Sequence, residues 1–413
     1  MILLFFTGAS TRMQGKDAKS NPGEGSTHHL LNPISHSFPY FCNETKNAMK
    51  SSTTQATNRG MILNPARFDL TIKNNYKRIK LIRISFFLPV LLFAFACGKK
   101  TETCELDSEI LKTDLKLEII RGEEEFFKAE TQQDLLLLLE KHPEFAKIYL
   151  QEELYETPDS LATELLAIHQ DSTMRELYDS VKVEYPDITE LETELENAFK
   201  YIKHYFPDFK VPKVYTFVSG FNSDLVVTED LIVIGLDYFL PATHTFQPDL
   251  ARYMADRYER PFIVPMIVTA ISSRFNEINP QDNSLLAEMI YYGKAYHFTK
   301  AILPCTSDQY IIGYTEKEIS DSFANEELIW AHFVENELLY ETNPFEIRKY
   351  IGEAPFTDAI STNAPGRLGR WLGWNIVDDY LVNNEVDLPT LMANTDAEQI
   401  FRQSGYRPRP ANE

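Results

Sequence analysis

Two stretches of the 413-residue chain concentrate side chains that could bind or react. In the first, Ala364-Pro365-Gly366-Arg367-Leu368-Gly369-Arg370-Trp371-Leu372-Gly373-Trp374-Asn375-Ile376-Val377, two guanidinium groups and two indoles stand among three glycines. Pro365 suits the first position of a helix, and Gly366, Gly369 and Gly373 then fall on one face. Each interior glycine costs up to ~1 kcal/mol of helix propensity. Three together require the close approach of another helix or of a bound group. Tight packing is the first expectation, with Trp371, Leu372, Ile376 and Tyr380 as its apolar side chains; a ligand-contacting helix is the second. Arg367 and Arg370 add cations whose partners the spacing does not reveal. The second stretch, Ile290-Tyr291-Tyr292-Gly293-Lys294-Ala295-Tyr296-His297-Phe298, is an aromatic helix with one glycine and one lysine, and it predicts core or groove packing. Tyr292, Gly293, Lys294, Arg367, Gly369, Arg370, Trp371, Gly373 and Trp374 are therefore the candidate binding or packing residues.

The usual carriers of catalysis are missing from the sequence. There is no HExxH pair to hold zinc, no GxxxxGK[ST] phosphate loop, no GxGxxG after a strand and no GxSxG elbow. From residue 97 onward the histidines are His142, His169, His204, His244, His297 and His332, and none lies four residues from another. No helix face thus offers a two-histidine metal site. His332 and Glu335 share a face but read as a solvated one, and His297, between Tyr296 and Phe298, reads as a satisfied, half-buried histidine. Glu123–Glu125 reads as a solvated helix start favoured by the dipole. No catalytic residue, metal site or cofactor is expected.

Charge divides the chain in two. Residues 1–96 carry 12 Lys/Arg and 4 Asp/Glu, a net of +8, and the rest a net of −29. A body so acidic is a poor ligand for phosphates, so nucleic acid is not an expected partner, and it does not favour lying flat on anionic lipid. The positive charge gathers at Lys73, Lys77, Arg78, Lys80 and Arg83, just before the uncharged run Ile84–Ala96. A basic region, a short apolar run and small residues make up a secretory signal. As a helix that run rises only about 20 Å, short of the ~30 Å hydrocarbon core. Ala94-Phe95-Ala96-Cys97-Gly98 resembles a bacterial lipobox, with Phe95 bulkier than usual and Ala94 where leucine is commonest. The resemblance implies that Cys97 carries acyl chains, palmitate among them, and tethers the protein to a membrane; the alternative is a plain secretory signal with an incidental cysteine. Met61 opens a complete signal, 61–96, so residues 1–60, rich in Ser, Thr, Asn and Gly, read as an over-extended start or a disordered extension. Residues 97–112 read as a polar tether. Cys104 and Cys305 remain as a pair whose proximity the sequence leaves open.

Between 113 and 410 the periodicity predicts one α+β domain, mainly helical with a small central β-sheet. A strand is expected over Lys116–Arg121. Helices follow, with Thr131, Asp159, Asp171 and Asp187 as caps, and the last places Leu191, Leu195, Phe199 and Ile202 on one stripe. VPKVYTFVSG, DLVVTED and LIVIGLDYFL read as strands, with a hairpin at Thr228–Asp230. Further helices are expected over 249–258, 261–276, 283–300, 316–324, 325–339, 343–351, 364–381, 389–392 and 396–403.

Assembled, these pieces resemble the gliding motility lipoprotein GldB family of Bacteroidetes-type bacteria. The matching elements are Cys97 with its lipobox, LIVIGLDYFL (231–240), MIYYGKAYHF (289–298), IGYTEKEI (312–319), the segment around Trp330, PGRLGRWLGWNIVDDYL (365–381) and NTDAEQIFRQSGYRP (394–408). The resemblance implies a cell-envelope lipoprotein facing the periplasm, working with unidentified envelope motility proteins; which membrane holds it stays open. A more distant similarity is to predicted zinc peptidases of zincin-like fold. In those, a HExxH helix precedes a helix with a glutamate ligand beside a glycine. The counterpart FIVPMIVTAISSRFN (262–276) has no histidine, and the glutamate–glycine position is Tyr292-Gly293. That implies a degenerate zincin-like fold and a pseudoenzyme acting as a binding or scaffold component. The alternative is a metal-dependent, peptidase-like hydrolase with an unrecognised site.

Overall fold

A computed structural model describes residues 104–409. The expected start, signal peptide and lipidated Cys97 lie outside the described residues. Four short strands form one mixed sheet in the order β1-β2-β4-β3. The central strands β2 (Lys213–Phe217) and β4 (Leu231–Gly235) run parallel, with Lys213 opposite Leu231 and Phe217 opposite Gly235. On one side β1 (Ile119–Arg121) adds in parallel, and on the other β3 (Leu225–Val227) is the antiparallel arm of a hairpin. Every residue of β4 is buried, which suits a run with no polar alternation, because a strand covered on both faces has no solvent side. The expected hairpin closes where the Thr228 N–H donates to the Leu231 carbonyl.

Helices flank this sheet, so the domain is α+β and mainly helical, as expected. Before β2 come α1 (Ser108–Leu111), α2 (Gly122–Lys128), α3 (Gln132–Lys141), α4 (Pro158–Gln170), α5 (Ser172–Glu184) and α6 (Thr189–Tyr205). After β4 come α7 (Arg252–Ala255), α8 (Ile263–Ser272), α9 (Leu285–Ile302), α10 (Asp308–Ile312), α11 (Glu316–Ala324), α12 (Glu326–Glu335), α13 (Pro344–Ile351), α14 (Leu368–Asn384), α15 (Leu388–Ala393) and α16 (Ala397–Ser404). Thr131 caps α3 in a reciprocal capping box and Asp171 caps α5, both as expected. The α6 stripe Leu191, Leu195, Phe199 and Ile202 is buried.

Several boundaries differ from expectation, each for a local reason. The strand over 116–121 narrows to three residues, and the Leu117 and Ile119 N–H groups, at its entrance and its first position, donate to the carboxylates of Glu196 and Glu192 on α6. Those carboxylates cover the open sheet edge. Thr157, not Asp159, caps α4, with Pro158 at its first position. Glu123 is no solvated residue: it is fully buried and accepts hydrogen bonds from Arg121 Nε and Thr216 Oγ1. His332 is half-buried and bonds the Tyr350 hydroxyl at 3.0 Å, while Glu335 on the same face is exposed, so that face is only partly solvated. The chain expected to be helical over 325–339 breaks at Glu337, whose φ of 55° is left-handed. The second half of the expected tether belongs to the fold: Ile110 of α1 is buried, and Cys104 forms a disulfide with Cys305 across a sequence separation of 201.

Candidate functional site

The site assembles where α9 and α14 lie along each other. Gly293 and Gly373 face one another there. A β-carbon on Gly373 would sit 1.9 Å from the Met289 carbonyl oxygen, and one on Gly293 would sit 2.3 Å from the Gly373 carbonyl oxygen. The two helices therefore touch backbone to backbone, and tight packing wins over a ligand-contacting face for this pair. Gly369 faces the end of α13, within 2.9 Å of Ile351 Cδ1. Gly366 is not helical, which corrects the expected start of this helix. Phe356 and Pro365 form an isolated β-bridge, Thr357 Oγ1 donates to the Pro365 carbonyl, and Arg367 takes a left-handed φ of 63°. Helix α14 can begin only at Leu368.

Three neighbouring residues of α9 point to three different places, as 100° per residue requires. Tyr292 faces Arg370, whose guanidinium lies 4.0 Å from the ring centroid. Gly293 meets Gly373. Lys294 is buried and donates to the carbonyls of Glu277 at 3.0 Å and Asn394 at 2.8 Å, so it ties two loops together. Burial pushes its ammonium down to about 8. Trp371 packs edge-on to Phe323. Trp374 packs near Tyr296, its indole N–H buried without a partner.

Both arginines reach a partner that sequence spacing did not reveal, the carboxylate of Glu353. Arg257 Nη2 lies 2.7 Å from Glu353 Oε2, Arg367 Nε 3.6 Å from the same oxygen, and Arg370 Nη1 3.2 Å from Oε1. Arg367 also donates to the carbonyls of Ile312 and Gly313 and lies over the Tyr314 ring, and Arg370 Nε donates to the Ile351 carbonyl. Burial alone would raise the Glu353 carboxyl. The surrounding Arg367, Arg257 and Arg370, with the hydrogen bond from Arg257, overcome it and hold the group at about 2. Glu353 and Arg257 stand 96 residues apart, and neither sits in a pattern that marks it. Only the glycines and arginines of 366–373 signalled that something close-packed and charged was here.

Outside this cluster a groove opens between α9, α13 and α14, lined by Glu288, Tyr292, Pro344, Ile347, Arg348 and Arg370. Among the described residues, no three His, Cys, Asp or Glu side chains converge as a metal site, and no helix is long and apolar enough to cross a membrane. Residues 103–408 match the protein family described as gliding motility protein GldB. The chain belongs to that family. Its GldB match spans the sheet, the paired glycines and the arginine cluster, so all the geometry above lies within the family's own extent. GldB membership associates the chain with gliding motility and with lipoproteins of the envelope. Comparisons with curated proteins and with solved structures gave no match.

Proposed function

We infer that this GldB-family chain is a non-catalytic, lipid-anchored protein facing the periplasm, which acts in gliding motility as a binding or scaffold component for other envelope proteins. The family match carries the motility role, and the observation that carries its non-catalytic part is the backbone contact between Gly293 and Gly373. In a zincin-like arrangement the helix bearing Gly293 would supply a metal ligand into an open cleft. Tyr292, which the sequence resemblance sets at the ligand position, turns to Arg370, and the space between α9 and α14 is closed by main chain. The preceding helix, α8, which the sequence resemblance sets against the HExxH helix, buries Ile263, Val264, Ile267, Val268 and Ile271. These side chains fill a core and have no lone pairs to offer a metal. The Cys104–Cys305 disulfide suits an exported protein, since such bonds persist in oxidising compartments.

The full-length protein, purified in detergent and supplied with zinc, is expected to leave a mixed peptide library intact. Hydrolysis that a chelator abolishes would overturn the non-catalytic role. Cys97→Ala is expected to move the protein from the membrane to the soluble fraction. Unchanged fractionation, with no acyl label on the wild type, would defeat the anchor.

A further inference from the structure

We propose that the groove between α9, α13 and α14 binds an extended peptide segment carrying carboxylate and apolar side chains, with Arg348 and Arg370 as its anion-binding residues. The inference rests on the binding role proposed above and names the chemistry of the partner. From residue 97 on, acidic residues outnumber basic ones by 29, yet this locality has the opposite balance. Arg257, Arg367 and Arg370 share the single carboxylate of Glu353. Among the described residues, Arg348 stands exposed on the groove wall and forms no ion pair, and Glu288 on the facing wall is the one further carboxylate lining the groove. Of the charges that line the groove itself, Arg348 and Arg370 stand against the single carboxylate of Glu288, with Arg257 and Arg367 behind them on Glu353. Arg370 is held in low dielectric, where a guanidinium attracts a carboxylate more strongly than in water, and exposed Arg348 adds an ordinary surface charge beside it.

The walls decide what kind of anion fits. Pro344, Ile347 and Ile351 give an apolar floor, and Tyr292 is fixed in place under Arg370. Phe345, next to Pro344 on α13 and outside the groove lining, is 79% exposed and extends the apolar surface beyond the groove. A small inorganic anion would leave these surfaces wet. A peptide with alternating acidic and apolar residues would satisfy both, its alternate side chains turning to the arginines and to the apolar floor.

Calorimetric titration of the full-length protein in detergent tests this with a blocked hexapeptide of alternating Leu and Glu, against the same peptide with Gln for Glu. The Glu peptide is expected to bind at least tenfold more tightly, and to weaken as salt rises. Arg348→Glu should lose that binding with only a small fall in melting temperature, because Arg348 has no ion-pair partner among the described residues and contributes to the fold only as a cation in the last turn of α13. Glu288→Gln should tighten it. Equal binding of the two peptides, no binding of either, or an unaltered affinity in Arg348→Glu would overturn the site. Peptide recovered intact in a failed titration leaves the non-catalytic role standing, whereas cleaved peptide would sink that role instead.

Discussion

Desolvation by itself would favour a protonated Glu353, yet three guanidinium groups reverse the sign and hold it charged. Its folded value of about 2 lies below the ordinary 4.5, so the group contributes stability that is complete above the ordinary value. That contribution is lost as pH falls through 4.5 toward 2, and 2.5 units correspond to about 3 kcal/mol. Glu353→Gln should therefore destabilise at pH 7 by about 3–5 kcal/mol, because it leaves buried guanidinium groups without their carboxylate. The gap between wild type and variant should narrow as pH is lowered from 5 to 2. A gap in urea-unfolding stability that stays constant over that range would show that the cluster does not depend on ionised Glu353. Lys294 shows the opposite case, a buried cation whose desolvation outweighs the pull of Glu277: its folded value of about 8 lies below 10.5, so stability rises with pH between those values.

At the scale of elements, the test is the sign of a small substitution. Helix propensity alone says that Gly→Ala inside a helix stabilises by about 1 kcal/mol. At Gly373 the added carbon would meet the Met289 carbonyl at 1.9 Å, and neither helix backbone can yield without moving the whole pair. Gly373→Ala should destabilise by about 2–3 kcal/mol, as overpacking does. Gly369→Ala meets the flexible Ile351 Cδ1 first and should stay within about 1 kcal/mol of wild type. Thermal unfolding of the two variants side by side checks the contrast, and equal stabilisation by both would mean that α9 and α14 are not in backbone contact. Glycine spacing made this helix pair legible in advance, because a repeated propensity cost needs a compensation. It did not make legible where α14 starts. The bridge from Phe356 to Pro365 overrides the local signal of a proline at the first helical position.

For the whole molecule, the Cys104–Cys305 disulfide joins the first described segment to the turn after α9, across 201 residues. Closing so long a loop in the unfolded chain is worth about 5 kcal/mol in the chain-entropy treatment. Cys305→Ser should accordingly lower the melting temperature by several degrees, and reductant should do the same to the wild type but not to the variant. Insensitivity of the wild type to reductant would show that the pair does not constrain the folded protein. This bond also fixes where the body begins: a segment read as polar tether carries a buried isoleucine and a covalent tie. Polar composition could not announce that, because the tie depends on a cysteine 201 positions away.

The sequence by itself determined the class of the fold, the order and type of most elements, the family, and the absence of a recognised catalytic motif. These follow from local information: periodicity, capping residues, turn residues and short motifs act over a few neighbours. Tertiary structure alone decided that Gly293 meets Gly373, that Arg257, Arg367 and Arg370 converge on Glu353, and that an unpaired Arg348 stands beside them on a groove. Each of those facts joins residues far apart in the chain. Their proximity is set by how helices pack across one core, and no local pattern encodes it.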